Sequence, residues 1–204
     1  MVRLVGRYLS PFVRRCAVTM GLYDIPFQHD PLSTMTDGDK IAAINPLGRV
    51  PALVLDDGET LIDSAAILDH LDMEAGVGRA LVPVSGRSRR EVLRLVSIMC
   101  GALDKAVVAA YEKNRRPKEF VYQPYVEKLD AQVAAGLAAL EAIEPKPWLV
   151  GAAMTQADVT AAVGFSFLNI MHPHLAPAGG YPRLEALAAR CEALPAFQAC
   201  KPET

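Results

Sequence analysis

The spacing of apolar positions changes near residue 78. Before that point, short strand-like runs alternate with helix-like ones. Val2-Arg3-Leu4-Val5-Gly6-Arg7 reads as a strand. Ser10-Pro11 then opens a helix, with Ser as the cap and Pro at the first helical position, where its missing N–H costs nothing. Phe12, Val13, Cys16, Ala17 and Met20 recur at helical spacing and form its inner face. Pro26 to Asp30 reads as a second short strand, and Thr36 to Ile44 as a weak helix. Val50 to Leu55 and Glu59 to Ile62 flank Asp56-Asp57-Gly58, a hairpin pattern. Ser64 to Ala75 is helical, with Ile67, Leu68 and Leu71 inside. The order β-α-β-α-β-β-α predicts a mixed sheet with helices on both faces.

After Gly76-Val77-Gly78 the texture becomes wholly helical. Pro83 to Gly86 reads as a connection. Glu91 to Lys113 carries Val92, Leu95, Val96, Met99, Leu103, Val107 and Ala110 on one face. Pro117 reads as the start of the next helix, with a stripe of Tyr122, Val126, Leu129, Val133, Leu137 and Leu140. Thr155 to Ile170 is apolar nearly all round, which predicts a buried central helix, and Thr155 with Asp158 has the form of a capping box. Pro182 to Leu194 is a last regular helix before a short tail from Pro195. The expected boundaries are 1–78 for the α/β domain, 79–86 for the linker and 87–204 for the helical domain.

Composition narrows the function classes. The chain has 204 residues and a formal net charge of −2, so there is no broad basic field for nucleic acid. The longest uncharged apolar stretch, Val159 to Met171, is too short to span a bilayer. The N-terminus lacks the apolar core of a secretory signal. Four scattered cysteines and the pair His172 and His174 give no metal-ligand spacing. The expectation is a cytoplasmic protein with no metal, no membrane association and no nucleic-acid partner.

Four motifs then stand in order: Ser10-Pro11-Phe12-Val13-Arg14, Asn45-Pro46-Leu47-Gly48-Arg49-Val50-Pro51, Asp63-Ser64, and Gly151 to Asp158. With the element order, they make the chain resemble the glutathione S-transferase family over essentially its whole length. The resemblance implies a thioredoxin-like N-terminal domain followed by an all-helical C-terminal domain. It also implies glutathione as co-substrate and a role in detoxification. The long apolar helices after residue 88 offer more hydrophobic surface than a domain this small easily buries alone, which predicts a homodimer.

The resemblance distributes roles over particular residues. Val50, before a cis Pro51, would offer its backbone N–H and C=O to the cysteinyl part of glutathione. Ser64 would hold the γ-glutamyl carboxylate at a helix N-terminus, which carries partial positive charge and unpaired amides. Asp63 would face the α-amino group. Arg49, and with it Lys40, would lie near the glycyl carboxylate. Ser10 would donate to the glutathione sulfur as the catalytic group, with Tyr8 as the rival hydroxyl. Asp104 has counterparts that reach glutathione from a partner subunit, and Tyr111, Arg115 and Phe12 are candidates for the second-substrate pocket. The expected function is activation of the glutathione thiol for attack on a small, hydrophobic electrophile. The alternatives are a non-catalytic binding member of the fold, or a specialised glutathione-dependent lyase, isomerase or dehalogenase.

Overall fold

The computed structural model describes residues 1–203; Thr204, the last residue of the expected helical domain, lies outside them. The chain divides into two compact units. The first comprises Met1–Val84 together with the segment that begins at Glu192, and the second comprises Ser85–Cys191.

The first unit is built on a four-stranded sheet in the order β2-β1-β3-β4. β1 (Arg3–Val5) pairs parallel with β2 (Gln28–Asp30) and antiparallel with β3 (Ala52–Val54), which pairs antiparallel with β4 (Thr60–Leu61). The strands are shorter than the apolar runs that predict them. Leu4 lies opposite both His29 and Leu53, and Leu4, Val5 and Leu53 have no solvent exposure. The parallel β1–β2 pair requires a crossover, supplied by α1 (Pro11–Leu22). α1 packs on α3 (Ser64–Ala75); the buried positions include Val13, Cys16, Ala17 and Met20 of α1 and Ile67, Leu68 and Leu71 of α3. α2 (Gly38–Ile44) completes the βαβαββα order of a thioredoxin-like unit. From Glu192 the chain adds a short helix, α8 (Pro195–Gln198), which packs on α1.

The second unit contains α4 (Gly86–Arg115), α5 (Gln123–Glu141), α6 (Gln156–Met171) and α7, which runs from Pro182 to Glu192. The stripe on α4 turns after Met99. The buried positions are Val92, Leu95, Met99, Ala102, Leu103, Ala106 and Ala109, so alanines replace the expected Val107 and Ala110. Small side chains there let α4 and α5 approach closely. Gly136 on α5 stands close to Ala102, whose Cβ would lie 3.1 Å from an added Cβ, tighter than ordinary contact.

Pro117 does not start α5. A 3-10 turn at Lys118–Phe120 intervenes, and the helix begins at Gln123 with Pro124 in its first turn. Inside a helix Pro124 would lose an i→i−4 bond and clash with the preceding turn, so the helix starts beside it. The α5 stripe of Val126, Leu129, Val133, Leu137 and Leu140 is buried as expected, while Tyr122 is exposed.

α6 is buried almost all round. Its capping box forms: the Thr155 amide and hydroxyl donate to one oxygen of Asp158 at 2.8 and 2.9 Å. The other Asp158 oxygen accepts from the Leu149 amide at 2.8 Å. No helix among the described residues is long and apolar enough to cross a membrane.

Candidate active site

The first unit brings most of the sequence candidates to one end of β1. Gly6 terminates that strand at φ 120°. A Cβ there would fall 2.6 Å from Val13 Cγ2 and 2.8 Å from Val50 Cβ. Only glycine lets the first turn of α1 and the Val50 loop close on the strand together.

Ser10 caps α1. Its extended backbone places Oγ 3.4 Å from the Val13 amide, which donates to it, and the Arg14 amide donates to the Ser10 carbonyl at 2.9 Å. Because Oγ accepts from within the helix, its own proton is left to donate outward.

The Val50–Pro51 bond is cis, and so is Ile62–Asp63. The loop before Pro51 is held by Asn45. Its Nδ2 donates to the Arg49 carbonyl at 2.9 Å, and its Oδ1 accepts from the Leu47 amide at 3.0 Å.

The cap of α3 is Asp63, whose carboxylate accepts from the Ala65 amide at 3.1 Å. Ser64 is therefore the first helical residue rather than the cap. It is buried, and its Oγ accepts from Arg15 Nη2 at 2.8 Å. The Ser64 proton is thus also free for another acceptor.

Tyr8 stands differently. Its ring stacks on His29 with centroids 3.8 Å apart and planes 4° from parallel, and its hydroxyl neighbours the Cys200 thiol. Burial, with Cys200 next, pushes the phenol well above its ordinary value. Burial likewise pushes the Cys200 thiol up.

Lys40 is exposed and donates to Asp37 at 2.9 Å, and that bond holds the Asp37 carboxyl down to about 2. Arg49 is exposed, as is Asp104, which belongs to α4 in the second unit. There Arg115 lies over the Tyr111 ring at 3.9 Å. His174 contacts Asp130 at 3.3 Å, and among the described residues no three His, Cys, Asp or Glu are placed to hold a metal ion.

Two residues that matter here, Arg14 and Arg15, carry no role in the sequence reading. Their signal was a pair of adjacent cations inside an apolar helix. Both are buried, and a buried guanidinium must have acceptors to be tolerated.

Two family models match the chain. Glutathione S-transferase, N-terminal domain, matches residues 4–80, and glutathione S-transferase, C-terminal domain, matches residues 98–195. The chain belongs to the glutathione S-transferase family.

An uncharacterized GST-like protein YibF of Escherichia coli K12 is 30% identical over 114 residues, 56% of each chain. Glutathione S-transferase GstA of Escherichia coli O157:H7 is 32% identical over 125 residues, 61% of this chain and 59% of that one. The chain therefore matches somewhat over half the length of these curated relatives. A crystal structure of a glutathione S-transferase from Methylobacillus flagellatus KT, with glutathione bound, superposes with a TM-score of 0.92. It is 27% identical and covers 100% of both chains.

Proposed function

We propose that the protein is a serine-type glutathione transferase. It binds glutathione in its first unit, lowers the pKa of the thiol, and adds the thiolate to a small hydrophobic electrophile. One observation carries the reading. Ser10 stands at the N-terminus of α1 with its Oγ accepting from Val13, so its proton is free, whereas burial holds the rival Tyr8 phenol well above its ordinary value.

The magnitudes suffice. A free thiol titrates near ~8.5, and lowering it by about two units needs roughly 2.7 kcal/mol. A hydroxyl donating to a charged acceptor supplies about 1.5–3 kcal/mol, and the helix N-terminus about 0.3–1 kcal/mol more. Ser10 donates throughout and is never itself deprotonated. Val50 offers its backbone to the cysteinyl segment. Ser64 donates to the γ-glutamyl carboxylate, Asp63 faces the amino group, and Arg49 lies toward the glycyl end. Metal chemistry has no part in this scheme.

We also propose a homodimer. Met73 and Leu47, both large and apolar, are exposed on the first unit, and a second copy would cover such surface.

The test is calorimetric titration with reduced glutathione, followed by conjugation assays across electrophile classes. Saturable binding and conjugation with at least one class support the reading. No binding contradicts it. Binding without conjugation to any class would make the protein a non-catalytic member of the fold.

A further inference from the structure

We propose that Arg14 and Tyr8 are positioning residues of the Ser10 turn, and that they act by fastening the segment from Glu192 to Cys200 onto the start of α1. This rests on Ser10 as the group that faces the thiol, and it gives the C-terminal segment a part in the same site.

Arg14 is 1% exposed and heads the fully buried large side chains. Its amide closes the first turn of α1 on the Ser10 carbonyl. Its guanidinium is spent on the C-terminal segment. Nε donates to the Cys200 carbonyl at 2.8 Å, and Nη1 and Nη2 donate to the two Glu192 oxygens at 2.6 Å each. Nη2 also reaches the Phe197 carbonyl at 3.4 Å. These acceptors lie 178 to 186 residues away in sequence.

A buried ion pair contributes little to stability compared with apolar groups of the same shape. What the fork of a guanidinium supplies is direction, because its donors are rigid and planar. The backbone fits this reading. α8 lies so close to α1 that a Cβ on Gly21 would stand 3.1 Å from that of Ala196.

Tyr8 is the second, independent fastening. Its ring is held against His29, whose Nε2 lies 2.8 Å from the Gly6 carbonyl, and its hydroxyl neighbours the Cys200 thiol. Tyr8 and Arg14 flank Ser10 in sequence; Arg14 ends on the Cys200 carbonyl, and the Tyr8 hydroxyl neighbours the thiol of the same residue. The first turn of a helix has unpaired amides and frays readily. Here the turn that carries Ser10 is tied through Arg14 to Glu192 and Cys200, with Tyr8 packed beside it on His29.

The Arg14→Met/Glu192→Leu double variant tests this, because it replaces the pair without orphaning a charge. In the ligand-free protein, hydrogen exchange of the Val13 and Arg14 amides should accelerate about tenfold, while Leu4 and Leu53 keep wild-type protection. With glutathione bound, the thiol, followed by ultraviolet thiolate absorbance, should titrate about one pH unit higher while the dissociation constant changes less than about threefold. Wild-type exchange at Val13 and Arg14 in the folded double variant would overturn the proposal, whether or not the protein binds glutathione. Accelerated exchange in a protein whose wild type binds no glutathione would uphold the brace and remove the proposed function instead. Should the double variant fail to fold, Tyr8→Phe and Cys200→Ala decide. Each should accelerate exchange at Val13, and the two together no more than either alone. Additive effects, or none, would overturn the proposal.

Discussion

Arg15 on α1 donates to the hydroxyl of Ser64 on α3 across 2.8 Å, and both residues are buried. This bond turns a surface-type residue pair into a fixed donor. Ser64 Oγ accepts from a guanidinium, which has only donors, so its own proton points elsewhere.

Ser64→Ala should therefore have two effects. Glutathione affinity should fall about 10- to 150-fold, the equivalent of roughly 1.5–3 kcal/mol for a hydrogen bond to a carboxylate. Stability should fall by about 1 kcal/mol, because a buried Arg15 donor loses an acceptor. Calorimetric titration and a denaturation midpoint measure the two separately. An unchanged dissociation constant would remove Ser64 from the site.

Gly6→Ala should be costly. The new Cβ would stand 2.6 Å from Val13 and 2.8 Å from Val50, on a backbone with φ 120°. A loss of about 2 kcal/mol or more is expected, together with weaker glutathione binding, since both walls of the site must move. Gly101→Ala is the control. Nothing lies within 4 Å of its added Cβ, and in the interior of α4 alanine should add about 0.5–1 kcal/mol. Equal midpoints for the two variants would contradict the close approach at Gly6.

Much of this was legible in the sequence because it rests on local chemistry. Ser10-Pro11 starts α1, Ser64 to Ala75 is α3, and Thr155 with Asp158 caps α6, each through bonds spanning three or four residues. The cap of α3 was less legible: Asp63 and Ser64 are both good caps, and only the backbone decides between them. Arg14 and Cys200 were not legible at all. Their partners are 178 or more residues distant, and no periodicity relates them. Tyr8 was visible as a candidate, but its engagement with Cys200 was not.

The helical unit should lose stability in mild acid. His172 is buried with Nε2 lacking a hydrogen-bond partner, and it faces Lys113, Asp130 and His174. Burial first, then the charges of His174 and Lys113, lower its pKa below 6.5. The folded state thus binds fewer protons than the unfolded one below that value. Stability from this group is complete above pH 6.5 and is lost as pH falls, by up to about 1.4 kcal/mol per unit. Urea midpoints between pH 5 and pH 8 should show this slope, and His172→Phe should flatten it. A slope that survives His172→Phe would assign the effect to another group.

The most direct test of the central claim, that Ser10 activates the thiol, is the pH dependence of kcat/KM in Ser10→Ala and Tyr8→Phe. With Ser10 as donor, Ser10→Ala should move the acidic limb upward by about one to two units, at ~1.36 kcal/mol each. Glutathione affinity should fall much less, because the contacts of Val50, Asp63 and Ser64 remain. The lost cap should cost about 1 kcal/mol of stability, so the assay is run well below the melting point. Tyr8→Phe should shift the limb by less than Ser10→Ala does. A limb that moves fully in Tyr8→Phe and stays in place in Ser10→Ala would contradict the account and make the phenol the activating group.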